Sequence, residues 1–149
     1  MSLADTLLPR EQIQVVETLK SWQEAVKLAS EPLLKRNFIT PAYIQSMIDS
    51  VEENGPYMVL TDYFALMHAR PGVGVNQQSV SLLVVRESVN MLEKPIKVFL
   101  VLAAMDNQSH LESLQKIMTI FMDTKKYQLI LEGNKEKIIE LFNEGGNER

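Results

Sequence analysis

The chain has 149 residues, of which 46% are hydrophobic and 23% charged, an ordinary globular balance that suits one compact core rather than two. Its 15 Lys and Arg stand against 19 Asp and Glu, a formal net charge of −4 with no long run of one sign, which argues against nucleic-acid binding because that rests on clustered cations. Cysteine is absent, so disulfides, thiolate metal sites and cysteine nucleophiles are excluded.

Residues Met1 to Glu11 have neither the basic start nor the apolar stretch of a secretory signal. The β-branched run Ile13–Val16 predicts a short strand. Ser21 and Glu24 then form a capping box that opens a helix over Trp22–Lys35, which Pro32 is expected to kink or end. Thr40 as cap and Pro41 at the first helical position start a second helix, whose apolar residues Ile44, Met47, Ile48 and Val51 recur at helical spacing. Asn54-Gly55-Pro56 stops it.

From Tyr57 to Met105 the helical period gives way to short apolar runs, and Tyr57–Leu60, Val80–Val85 and Ile96–Ala104 read as strands. The last two are nearly continuous in apolar character, as in a sheet covered on both faces. The longest purely apolar run, Val98–Met105, falls far short of the roughly 20 residues a bilayer span needs, so a soluble, cytoplasmic protein with no membrane insertion is expected. Ser109 and Glu112 suggest another capping box, and Leu111, Leu114, Ile117, Met118 and Phe121 mark the helix behind it. A last helix, over Lys135–Phe142, is expected to end at Gly145-Gly146. The expected fold is α/β: a single domain over residues 1–149, with a small mixed sheet of about five strands flanked by helices on both faces.

Only two histidines are present, His68 and His110, and each follows a predicted strand, where ligands of open α/β sheets gather. A neutral imidazole is a competent nucleophile near pH 7, and a hydrogen bond to one ring nitrogen fixes its tautomer and frees the other nitrogen to attack phosphorus. A phosphoryl group gained there needs donors. Arg70, the backbone of the loop holding Gly72 and Gly74, and His110 are the available types, and a guanidinium offers a planar fork to phosphate oxygens. Each of these residues alone is ordinarily a surface, turn or hydrogen-bonding group. His110 falls at a helix start, where the dipole disfavours imidazolium and favours an anion. A zinc site shared by the two histidines lacks the usual third and fourth ligands, so no metal is expected. The phosphate loop, the dinucleotide glycine motif and the serine nucleophile elbow are all missing, which points to a protein rather than ATP as the donor in any phosphoryl chemistry.

The segments Gly55-Pro56-Tyr57-Met58-Val59-Leu60 and Ala65-Leu66-Met67-His68-Ala69-Arg70-Pro71 resemble the phosphorylation-site region of mannitol/fructose-type enzyme IIA of the phosphotransferase system, the ascorbate-type branch most of all. The downstream Leu102-Ala103-Ala104-Met105-Asp106 and Ser109-His110-Leu111 agree with it, and the resemblance covers nearly the whole chain. It implies a relay in which phosphoenolpyruvate phosphorylates enzyme I, then HPr, then His68, which passes the group to a cysteine of enzyme IIB while the membrane enzyme IIC delivers ascorbate or a related sugar acid or pentitol. The relay needs no cofactor. His110 matches the family's assisting histidine. The alternative is a regulatory module of the same fold that controls a partner protein.

Three departures from the family pattern carry expectations of their own. Met67 stands where Pro usually precedes the active histidine. Asp62-Tyr63 replaces a common Pro-Gly, and since Tyr63 tolerates positive φ poorly, a reshaped turn is expected. Asp62 is either an ordinary turn residue or an orienter of an imidazole. Glu52 occupies the place of an arginine found in some mannitol-type members, which leaves Arg70 to supply the cation. Partners are expected to dock on an apolar face around His68 that includes Phe64 and Val73.

Overall fold

In the computed structural model the described residues are 8–147, with side chains described through Phe142; residues 1–7, most of the stretch read for a leader, lie outside them. A 3-10 turn at Arg10–Gln12 leads into β1 (Ile13–Val16), followed by α1 (Trp22–Lys35), α2 (Pro41–Asn54), β2 (Val59–Thr61), β3 (Tyr63–Met67), β4 (Ser79–Met91), β5 (Lys94–Ala103), α3 (Asn107–Phe121), α4 (Thr124–Leu131) and α5 (Lys135–Asn147). The five strands form one mixed sheet in the order β1-β4-β5-β3-β2. β1 pairs with β4 and β3 with β5 in parallel, whereas β4–β5 and β2–β3 are antiparallel.

Both faces of this α/β sheet are covered, and the alternation along β5 shows how. Phe99, Val101 and Ala103 pack with Ala25, Ala29, Leu33, Met47 and Val51 of α1 and α2. Val98, Leu100 and Leu102 pack with Ile117, Phe121, Ile130, Ile138 and Phe142 of α3, α4 and α5. Successive strand side chains point to opposite faces, so a strand with two covers reads as a nearly continuous apolar run. Each fully buried Val, Leu or Phe contributes about 1.5 to 3 kcal/mol, enough for the sheet centre to dominate the stability.

Pro32 does not end α1, which runs on to Lys35. Proline lacks the N–H that would bond the Leu28 carbonyl one turn earlier. Gln14 Nε2 of β1 donates to that carbonyl instead, at 2.7 Å, and the Ser81 hydroxyl of β4 donates to the neighbouring Ala29 carbonyl. Ser21 caps α1 by accepting from Glu24 N–H, but the Glu24 carboxylate reaches back to Lys20 N–H rather than to the cap itself. Thr40 makes no side-chain cap; its hydroxyl leans towards the Gly74 carbonyl at 3.4 Å. α2 ends as expected on Gly55, at φ 87°. α5 continues through Gly145-Gly146, since glycine stops a helix only where the backbone turns left-handed, and here it stays helical.

Tyr63 adopts positive φ despite its side chain, at +71°, next to the register shift between Tyr63 and Phe64. A left-handed conformation costs a residue with a Cβ about 1 to 2 kcal/mol. Tyr63→Gly should therefore be more stable than Tyr63→Ala by about 1 kcal/mol in urea denaturation, the reverse of the order expected in an ordinary strand. Both variants lose the ring, so the comparison isolates the backbone; equal stabilities would show that the turn is unstrained.

Candidate phosphoryl-transfer site

Because β3 and β5 run parallel as neighbours, their carboxyl ends reach the same edge of the sheet. His68 immediately follows β3, and α3, which carries His110 in its first turn, begins just after β5. The topology thus brings together two residues far apart in sequence: their ring centroids are 5.4 Å apart, with the planes inclined by 52°. The cap of α3 is Asp106, not Ser109; its carboxylate accepts from Ser109 N–H at 2.8 Å, and the backbone carbonyl of Asp106 accepts from His110 N–H. That hydrogen bond to Ser109 lowers the Asp106 pKa. Ser109 and Glu112 are simply residues of the helix.

The His68 ring is half-buried, and its Nδ1 lies 2.9 Å from the Leu66 carbonyl oxygen. A carbonyl can only accept, so Nδ1 carries the hydrogen and Nε2 presents its lone pair. Burial lowers the His68 pKa, opposed by the Leu66 hydrogen bond and reinforced by His110. The imidazole is therefore neutral and nucleophilic at pH 7. Nδ1 of His110 is buried without a hydrogen-bond partner, and because orphaned buried N–H groups are rare, the ring hydrogen belongs on Nε2. One ring thus offers a lone pair where its neighbour offers a hydrogen.

Two residues that the motif reading missed hold the histidine loops in place. Tyr43 of α2, 1% exposed, donates its hydroxyl hydrogen to the Leu102 carbonyl at 2.7 Å and accepts from Ala69 N–H at 3.1 Å, tying the end of β5 to the residue after His68. Burial raises its pKa to about 12, so it remains a donor. Gln78 accepts from Met105 N–H at 3.0 Å and donates to the Ser113 hydroxyl at 2.5 Å, fastening α3 beside β4. Neither has a motif around it: Tyr43 reads as one more apolar residue of a helix, and Gln78 as a loop amide. Gly72 adds a third tie, from its N–H to the Ala104 carbonyl; at φ 89°, with Met105 O only 3.0 Å from where a Cβ would stand, that position suits glycine.

The rings open into a depression of about 450 Å³ lined by Ser46, Ser50, Tyr57, Arg70, Asn107 and the two histidines, with no carboxylate among the lining residues. Arg70 is exposed and, among the described residues, has no ion-pair partner. Met67 is fully buried in the α1–α2 face, so the residue replacing the usual proline serves packing. Asp62 does not orient His68: it lies at the opposite end of β3, where its backbone carbonyl accepts from Tyr127 hydroxyl. Phe64 is not part of any docking face. It is completely buried and stacks on Phe121 with centroids 4.5 Å apart. Among the described residues no group of three or more His, Asp or Glu is placed to hold a metal ion.

Residues 6–145 match the family model described as phosphoenolpyruvate-dependent sugar phosphotransferase system, EIIA 2. The chain belongs to this enzyme IIA family. It is 33% identical over 139 residues to the mannitol-specific cryptic phosphotransferase enzyme IIA component of Escherichia coli strain K12, covering 92% of this chain and 94% of that one. The ascorbate-specific PTS system EIIA component of the same strain is 30% identical over 131 residues, 85% of each chain. The solution structure of the mannitol-specific cryptic enzyme IIA from Escherichia coli superposes with a TM-score of 0.88 at 30% identity, covering 95% of this chain and 98% of that one. As an enzyme IIA, the protein is a phosphotransferase component of sugar transport. No helix among its described residues is long and apolar enough to cross a membrane.

Proposed function

We propose that this enzyme IIA accepts a phosphoryl group from HPr on Nε2 of His68 and passes it to a cysteine of its cognate enzyme IIB, working on the cytoplasmic side of a transporter whose membrane component is enzyme IIC. The observation that carries the proposal is the Nδ1-to-Leu66 hydrogen bond, which leaves Nε2 as a free lone pair beside a depression lined by donors and no acids. In the forward step the Nε2 lone pair forms a bond to phosphorus while the P–N bond of phospho-HPr breaks, and its electron pair returns to the donor histidine. Transfer onward repeats the exchange, with the thiolate of enzyme IIB as nucleophile. The transition state spreads charge over the equatorial oxygens, so catalysis is mostly positioning and electrostatic stabilisation. His110 Nε2–H stabilises that charge from the neighbouring ring, and the unpaired Arg70 swings over the phosphoryl oxygens as a clamp.

The docking face is apolar and excludes Phe64. Val73, 64% exposed, stands on the loop after His68, Met105 and Leu111 flank the start of α3, and Tyr57 borders His68. Partners that must leave after each transfer suit a small patch of this kind. The compound carried is of the ascorbate or linear polyol class, in line with relatives named for ascorbate and for mannitol at similar identity. No side chain of the site needs to touch that compound, since both transfer partners are proteins.

Incubation with phosphoenolpyruvate, enzyme I and HPr should add one phosphoryl group to the intact mass. Unchanged mass, with donor proteins shown to be active, would overturn the proposal.

A further inference from the structure

A hydroxyl pair in the depression has no structural work to explain it. Ser50 is on α2 and Tyr57 lies between α2 and β2, and their oxygens stand 2.8 Å apart. The Tyr57 ring meets the His68 ring edge-on, at 87° with centroids 6.3 Å apart, and both hydroxyl residues line the same depression as His68 and Arg70. Tyr57 is 52% exposed, so the pair does not support the core.

Two hydroxyls own two hydrogens between them. Their mutual bond uses one, and the other is free to serve a ligand in the depression that both residues line. No carboxylate lines the depression to take it. We propose that the Ser50–Tyr57 pair is a phosphoryl-binding element that donates this remaining hydrogen to an oxygen of the group carried on His68. The inference rests on His68 being the acceptor. It adds a neutral donor from α2 and the segment after it to a depression that Arg70 and His110 also line. Either hydroxyl can be the outer one, so the two residues act as a unit: removing one leaves its partner free to rotate, and removing both removes the element.

The test uses phosphoramidate, a small chemical phosphorylating agent, so that it does not depend on docking of HPr. The His68 Nε2–P bond forms, the P–N bond of phosphoramidate breaks, and ammonia leaves with a proton from the medium. Intact mass would follow the gain of the phosphoryl group and then its loss after the agent is removed, in the wild type, Tyr57→Phe, Ser50→Ala and the double variant. Phenylalanine keeps the ring that touches His68, so only the hydroxyl is tested. A hydrogen bond to a charged group is expected to be worth about 10- to 100-fold in an equilibrium or rate. The double variant should therefore lose about that factor in the level of labelling reached, and the single variants should lose less than the double, in a coupled rather than additive pattern. The phosphorus resonance of labelled Tyr57→Phe should also shift from that of the wild type. Equal labelling and an unmoved resonance in all four proteins would overturn the assignment, as would wild-type label on a residue other than His68. A wild type labelled on His68 by phosphoramidate but not by HPr would leave this element standing and bring down the relay.

Discussion

His68→Ala is expected to gain no phosphoryl group from phospho-HPr at all, while wild-type protein in the same mixture is labelled on peptides containing His68. The loss is complete because no other residue among those described combines what His68 combines. Its Nδ1 is fixed by the Leu66 carbonyl, and its free Nε2 faces a depression into which a donor can reach. Arg70 cannot act as nucleophile because it stays protonated. The chemistry also has a pH signature. Burial lowers the His68 pKa below the ordinary imidazole value of about 6.5, so the ring is uncharged throughout the neutral range and protonates only in more acidic solution. Acceptance should hold level from pH 8 down through neutrality and fall only below the ordinary imidazole range, with the His68 ring titrating by NMR at the same pH. A ring still charged at pH 7, or label in His68→Ala, would refute the assignment.

Much of this arrangement could be read from the sequence, because its signals are local. The covered strands are nearly continuous apolar runs, Pro41 and Gly55 punctuate α2 by their backbone restrictions, and the two histidines sit just beyond strand ends, His68 in a loop and His110 in the first turn of a helix. What escaped the sequence depends on contacts between distant segments or on residues used against their preference. The β4–β5 hairpin turns on Leu92 and Glu93, both at positive φ, in place of the glycine or asparagine that would have marked it. Its strand therefore runs to Met91 and not to Val85, past a register shift between Val84 and Val89 where exposed Arg86, Glu87 and Ser88 conceal the period. α4, over Thr124–Leu131, was missed altogether. It is short, buries only Ile130 fully, and opens on an Asp123 cap close behind the end of α3. Pro32 misled in the opposite direction, since a side chain from another element satisfies the carbonyl it strands. Phe64 misled by proximity: it is near His68 in the chain, but the pleat turns it to the α3–α5 face.

His110→Ala should slow phosphoryl transfer by about 10² to 10³, the usual effect of removing one preorganised donor from a site where charge develops, while leaving a protein that still becomes phosphorylated on His68. The geometry behind this expectation is the 5.4 Å separation of the two rings and the buried, unpartnered Nδ1 that puts the hydrogen of His110 on Nε2. The helix start that carries the ring is fixed by the Asp106 cap and by Gln78, so the backbone beneath it needs no reorganisation when charge builds on the phosphoryl oxygens. A donor aimed at the transition state lowers the barrier for acceptance and for donation alike, so transfer from phospho-HPr and transfer to enzyme IIB should slow together. This separates His110 from the Ser50–Tyr57 pair, whose removal should shift the level of labelling at equilibrium. Rapid-quench labelling in both directions would measure the two rates, and His110→Gln, which keeps an N–H donor, should recover part of the loss. Melting temperature would confirm that the alanine variant is folded. Slowing in one direction only, or label mapped to His110 itself, would show that this ring is not the stabilising donor.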